Sequence, residues 1–248
     1  MNSRSSGKAV AEAVFREVRA FCESRADAAR ARKYAKFFVE GYDAYGVDPK
    51  DPAWEQNKKA WAGRLRAAEP AAYLDAGDLL VRTGKYEEAS FAILIAKQFE
   101  DGYTPQVFRR LGQWFDGGIR NWGHTDVMCG EILGGFVSKG IVRLDALEEW
   151  RGSSYKFKRR AVPVMLINAV AAGMTVAPLL EFVEPLMHDP EKVVQQGMGW
   201  FLREAWKREP KQVEALLKKH KDSAPRLIVQ YAAEKMSAAQ KQQFKRAR

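Results

Sequence analysis

Histidine and cysteine are scarce in this chain, three of one and two of the other among 248 residues. That scarcity removes whole classes of chemistry. Cys22 and Cys129 lie far apart within helical apolar pattern. This excludes a disulfide framework and a CxxC metal site, and leaves buried free thiols as the expected state. His124, His188 and His220 are scattered with no HExxH spacing, so no metal is expected. His124 is two positions from both Trp122 and Asp126. Residues so spaced do not face one another on a helix, and His124 is expected on a helix surface. Phosphate-cradling glycine loops are missing as well. Gly130, Gly134 and Gly135 fall in a helical pattern rather than after a strand, so no nucleotide cofactor is expected. No apolar run is long. The stretch from Ala161 to Met174 contains Asn168 and falls short of the roughly 20 residues that a membrane helix needs. Met1 to Lys8 is polar and lacks the apolar core of an export signal, which makes the cytoplasm the expected location.

Alternating apolar residues and Asn-Gly hairpin signals are absent too, while apolar residues recur at three- and four-residue steps in almost every segment. The chain therefore reads as all-α. Breaks are expected near 46–51, 69–70, 83–84, 101–105, 117–121, 152–154, 173–175, 188–190, 209–210 and 222–225, leaving helices of about ten to twenty residues joined by short connections. Short connections imply antiparallel neighbours. With 46% hydrophobic residues the chain can bury one large core or a series of small ones. A single domain over 1–248 is expected, with 1–8 flexible and 240–248 a basic tail.

Charge is unevenly placed. Lys and Arg number 41 against 31 Asp and Glu, a net +10, and the calculated pI is near 9.6. From Arg203 to Arg248 there are 13 basic and 5 acidic residues, so +8 of the total resides there. A one-sided basic surface suits a polyanion through phosphate contacts and counterion release. A solvated terminal helix rich in lysine would look the same.

Trp122 and Asp126 lie four residues apart in Asn121-Trp-Gly-His-Thr-Asp126, a spacing that places indole and carboxylate on one helical face. Core packing for the tryptophan and helix capping for the aspartate would explain them singly. Further along come Arg159 and Arg160, then Trp200. The spacings from Asp126 to Arg160 (34 residues) and from Arg160 to Trp200 (40 residues) are close to the roughly 40-residue period of HEAT and armadillo helix pairs. Stacked pairs would bury a continuous core and line one concave surface with equivalent helices. Trp54, Trp61, Trp114, Trp150 and Trp206 read most simply as core.

Taken together, Asn121-Trp-Gly-His-Thr-Asp126, Phe157-Lys-Arg-Arg-Ala-Val162 and Gly197-Met-Gly-Trp-Phe-Leu-Arg-Glu204 resemble three signatures of the AlkD-type DNA alkylation repair proteins. Lys33-Tyr-Ala-Lys36 and Tyr45-Gly-Val47 do so near the start. The resemblance spans about Ala31 to Lys219. It implies a right-handed α-solenoid of HEAT-like helix pairs with a concave basic groove for double-stranded DNA. It also implies a monofunctional glycosylase that releases N3- and N7-alkylated purines carrying a formal positive charge, and a monomer is expected because an open solenoid needs no partner to complete a site.

Carried over residue by residue, the resemblance makes Asp126 the catalytic carboxylate, Trp122 and Trp200 the two indoles flanking the lesion, and Arg160 the neighbouring arginine. Arg159, Lys158, Arg203 and Tyr34 are the expected DNA contacts, with either Arg159 or Arg160 facing the site. Phe157 stands where an indole is common, and residues 37–44 form an insertion-like run. Stacking on DNA is open to at least one of the five tryptophans that read as core. The alternative expectation is a non-catalytic solenoid that binds damaged or branched DNA.

The residue types suit the chemistry. A cationic purine is already a good leaving group, so only the developing sugar cation needs stabilising. A carboxylate can do that and can activate water, while indole faces attract cations.

Overall fold

The computed structural model describes residues 3–246. Among them every regular element is helical and no strand occurs, as the three- and four-residue apolar periodicity requires. None of these helices is long and apolar enough to cross a membrane. The chain gathers into two compact units, Met1–Met128 and Cys129–Arg248.

The first unit contains α1 (Ser3–Ser24), α2 (Ala28–Ala35), α3 (Pro52–Ala68), α4 (Ala72–Arg82), α5 (Tyr86–Ala96), α6 (Pro105–Gly117) and α7 (Trp122–Met128). The stretch expected to be flexible, 1–8, is helical from Ser3, and its first two residues lie outside those described. Helices α1, α4 and α6 pack in series, as do α3, α5 and α7, and the two rows meet where α4 packs on α5. Their starts are encoded locally. The Asp27 carboxylate accepts from the amides of Ala29 and Arg30, Asp51 accepts from Ala53 ahead of Pro52, and Thr104 accepts from Val107 ahead of Pro105. Large aromatics join α3 to α5 within the second row. Trp54 stacks on Phe91 at 4.0 Å, and Trp61 meets the same ring edge-on at 5.3 Å.

The gap between α2 and α3 is wider than the sequence suggested, running over residues 36–51. Tertiary bonding explains it. The buried Glu87 carboxylate accepts the backbone amides of Tyr45, Gly46 and Val47 at 2.9, 2.7 and 3.1 Å. These amides are thereby satisfied outside any helix. Gly46 has φ +81°, and a Cβ there would lie 2.1 Å from the Asp27 carbonyl oxygen, so no other residue fits. Beside it, Glu88 pairs with Arg19 at 3.0 Å and accepts from the Tyr45 hydroxyl at 2.8 Å.

The second unit begins with a π-helical turn, Cys129–Leu133. It continues with α8 (Gly134–Ser138), α9 (Glu148–Arg151), α10 (Lys156–Ala171), α11 (Val176–Val183), α12 (Lys192–Trp206), α13 (Pro210–His220), α14 (Arg226–Ala232) and α15 (Ala238–Gln242). Helices α8, α10, α12 and α14 pack in series, with α11 against α13 alongside. Two glycines let α12 approach both neighbours. A Cβ on Gly197 would lie 3.2 Å from Arg160 Cγ of α10, and one on Gly199 would lie 2.4 Å from Tyr231 Cβ of α14. The basic tail is docked as far as it is described. Phe244 is buried with its carbonyl accepting from Arg226, Arg246 donates to the Ala224 carbonyl, and residues 247–248 lie outside the description.

Breaks at 25–27 and 139–143 were not anticipated, and α2, α7, α8, α9, α11, α14 and α15 are shorter than the expected ten residues. Short helices of this kind owe their stability to packing rather than to propensity, so periodicity alone does not mark their ends. Both cysteines are buried free thiols, as expected.

Candidate functional site

Helix α7 is started by Asn121, whose side-chain oxygen accepts the His124 amide at 2.8 Å. This frees Asp126 from the capping role that its place near a helix start would otherwise suggest. Asp126 is half-buried, one turn beyond Trp122. Trp122 itself is 38% exposed, unusual for an indole in a chain whose other tryptophans are buried or half-buried.

His124 corrects an expectation, for it is buried rather than on the helix surface. Its Nδ1 faces the Asn121 side-chain amide at 3.0 Å and its Nε2 faces the Ser90 hydroxyl at 2.9 Å, with the ring stacked on Tyr86 at 4.3 Å. An amide donating to Nδ1 leaves the proton on Nε2. Burial pushes the imidazole pKa down to about 4, opposed by a hydrogen bond with the Tyr86 backbone, so the ring is neutral near pH 7. Residue spacing along α7 does set Trp122 and Asp126 one turn apart. It could not show that the opposite face of α7 packs on α5.

Residues 36–44 run across this part of the unit as a strap. The Phe37 carbonyl accepts the Trp122 indole N–H at 3.0 Å, and the Phe38 ring lies nearly parallel to the indole at 5.6 Å. Tyr42 stacks on Phe38 at 4.8 Å, and Tyr86 closes on both from the side. On the outer side of the strap Phe37 is 52% and Val39 96% exposed, with Tyr34 exposed at the end of α2. Lys36 Nζ sits 5.1 Å from the Phe37 ring.

In the second unit the arginines of α10 diverge. Arg159 forms an ion pair with the buried Asp189 at 2.6 Å and donates to the Ser153 and Ser154 carbonyls. Arg160 is buried, with Nη1 donating to the Val193 carbonyl. Lys158 is also buried, its ammonium 6.0 Å from the Trp150 ring. Trp200 is half-buried on α12. One turn on, Arg203 pairs with Glu204 at 3.1 Å and with Glu234. Of the tryptophans expected in the core, Trp54, Trp61, Trp114 and Trp150 are buried, whereas Trp206 is half-buried and donates to Glu214.

Sequence reasoning missed Asn121, Phe38 and Tyr86 around Trp122, and Glu87 beneath the strap. Asn121 carried a usable signal as a capping residue just before a helix. Glu87 carried none, because two acidic residues in a first helical turn normally face water. Among the described residues no group of three His, Cys, Asp or Glu side chains could hold a metal ion.

Two rows of helices in the first unit and a serial α8–α10–α12–α14 packing in the second make an all-helical protein consistent with an α-solenoid, with an exposed indole one turn from a carboxylate. The family model for DNA alkylation repair enzymes matches residues 18–236, and the chain belongs to that family. A comparison with curated proteins gives no match.

Proposed function

We propose that the protein is a monofunctional DNA glycosylase that hydrolyses the N-glycosidic bond of N3- and N7-alkylated purines in duplex DNA. It acts as a cytoplasmic monomer without metal or cofactor. One observation carries the proposal: a large indole is kept in solvent one turn from a half-buried carboxylate. Leaving apolar surface of that size in water forgoes roughly 1.5–3 kcal/mol of burial, a loss that a ligand for that face would recover. Family membership supports alkylated DNA as the substrate class.

In the reaction the bond from sugar C1′ to the purine nitrogen breaks with both electrons passing to the base. This cancels the fixed positive charge, so no general acid is required. Asp126 stabilises the oxocarbenium character at C1′ and takes a proton from the attacking water, whose oxygen bonds to C1′. The Trp122 face attracts the cationic base by about 0.5–2 kcal/mol depending on desolvation, and a neutral purine gains much less. Resemblance to the family gives Trp200 the second indole role and Arg160 that of the neighbouring arginine. Of the four residues assigned to DNA, Tyr34 is the most open. Arg159 and Arg203 already face Asp189 and the pair Glu204 and Glu234, so a phosphate must compete with those carboxylates.

The test is incubation with duplex DNA carrying N7-methylguanine, scoring free base and abasic sites. Wild-type protein should release the base, and Asp126→Asn should lower the rate roughly a hundredfold or more while keeping DNA affinity. Tight binding with no release by the wild type would refute the glycosylase and leave a binder of damaged or branched DNA.

A further inference from the structure

The strap does something that a lesion contact does not require: it occupies one entire side of Trp122. Phe38 covers one indole face at 5.6 Å with 19° between planes, and Tyr42 backs Phe38 at 4.8 Å and 5°. The indole N–H is taken by the Phe37 carbonyl. Resting on the strap, the indole has lost both free rotation and its only donor.

The strap is itself fixed at several points. Gly41 donates to the Phe38 carbonyl at 3.1 Å, closing a turn with φ +109° at the glycine that returns Tyr42 over Phe38. Asp43 accepts the Tyr86 amide at 2.8 Å and pairs with Lys85, and beyond it Glu87 holds Tyr45, Gly46 and Val47. On α7, Gly123 sits against the brace, a Cβ there meeting Phe38 Cε1 at 3.4 Å and the Tyr86 hydroxyl at 3.6 Å, which are ordinary contact distances.

Resting on the glycosylase reading above, we infer that Phe38 is a positioning residue for Trp122, and that the Tyr42–Phe38–Trp122 column presents one outer indole face to one flat cationic ring. Two physical effects follow. A ring clamped from behind needs no ordering when the alkylated base arrives, so stacking is not offset by lost rotamer freedom. An indole whose N–H donates to a carbonyl carries more electron density in its ring, which strengthens attraction for a cation on the free face. Both effects act on the catalytic step by way of Trp122, because Phe38 itself touches the indole and not the substrate.

The experiment uses the full chain and two readouts. Indole 1H–15N resonances of the protein are recorded, with the Trp122 signal assigned by its loss in Trp122→Phe. Phe38→Ala should shift that signal and speed its exchange with solvent, as the carbonyl contact loosens, and Phe38→Tyr should restore it. In single-turnover release of N7-methylguanine, Phe38→Ala should lower the rate roughly ten- to a hundredfold. The DNA concentration for half-saturation should hardly change, and Phe38→Tyr should recover most of the rate. Phe38→Leu, which keeps the apolar volume, guards against a variant that fails to fold and should lie between the two.

An unchanged Trp122 resonance in Phe38→Ala overturns the brace. A shifted resonance with full activity overturns its role in the reaction. A wild type with no activity refutes the glycosylase, while the resonance still decides whether Phe38 holds the indole.

Discussion

Gly199→Ala should destabilise the protein although alanine is the better helix former. In the middle of α12, exchanging glycine for alanine gains about 1 kcal/mol of helix propensity. Against that, the new Cβ would lie 2.4 Å from Tyr231 Cβ and 2.9 Å from the Ile228 carbonyl oxygen. Neither neighbour is the end of a flexible side chain, and carbon atoms rest about 3.5–4.0 Å apart. Helices α12 and α14 must therefore separate by roughly 1 Å. Overpacking of this kind costs about 1–3 kcal/mol, and more where the backbone itself is struck. The net loss should be about 1–2 kcal/mol, a fall in Tm of about 3–6 °C for a unit of this size. Gly63→Ala on α3 provides the control, because a Cβ there meets nothing within 4 Å and the same propensity gain goes unopposed. Scanning calorimetry of the two variants beside wild type decides the matter. A Gly199→Ala protein as stable as Gly63→Ala would show that the close approach of α12 to α14 does not depend on a glycine at this position.

Two further outcomes concern the first unit. Glu87→Ala leaves three backbone amides without their acceptor and should cost roughly 3 kcal/mol or more in urea unfolding, a loss under about 1 kcal/mol meaning that the strap's end is held by other contacts. His124 has a folded-state pKa of about 4 against 6.5 unperturbed, so the unfolded chain takes up the proton first as pH falls. Stability from this group is complete above pH 6.5, declines from there toward pH 4, and has lost roughly 3 kcal/mol below that. His124→Gln should flatten this part of the stability profile, and an unchanged acid slope would place the responsible group elsewhere.

Periodicity, turn residues and the lack of alternating pattern were enough to establish a helical protein, because each depends on residues a few positions apart. The Trp122–Asp126 pair was legible for the same reason: four residues make one helical turn whatever lies around it. Family membership was legible from ordered short motifs and is supported by the match over residues 18–236. What lay outside reach was set by partners distant in the chain. His124 looked like a surface residue because its neighbours in sequence are silent about Ser90 and Tyr86, which bury it. Arg159 and Lys158 were expected on DNA and Arg160 beside the lesion, with either arginine able to face the site. Only the packing of α10 gives Arg159 to Asp189 and Arg160 to the Val193 carbonyl. The strap is the clearest case, since nothing in residues 36–44 announces that Glu87, some 40 positions away, will take up the amides that follow, or that Phe38 will rest on Trp122. A hydrogen bond or ring contact between remote segments depends on how the whole chain closes, and local sequence carries no trace of that closure.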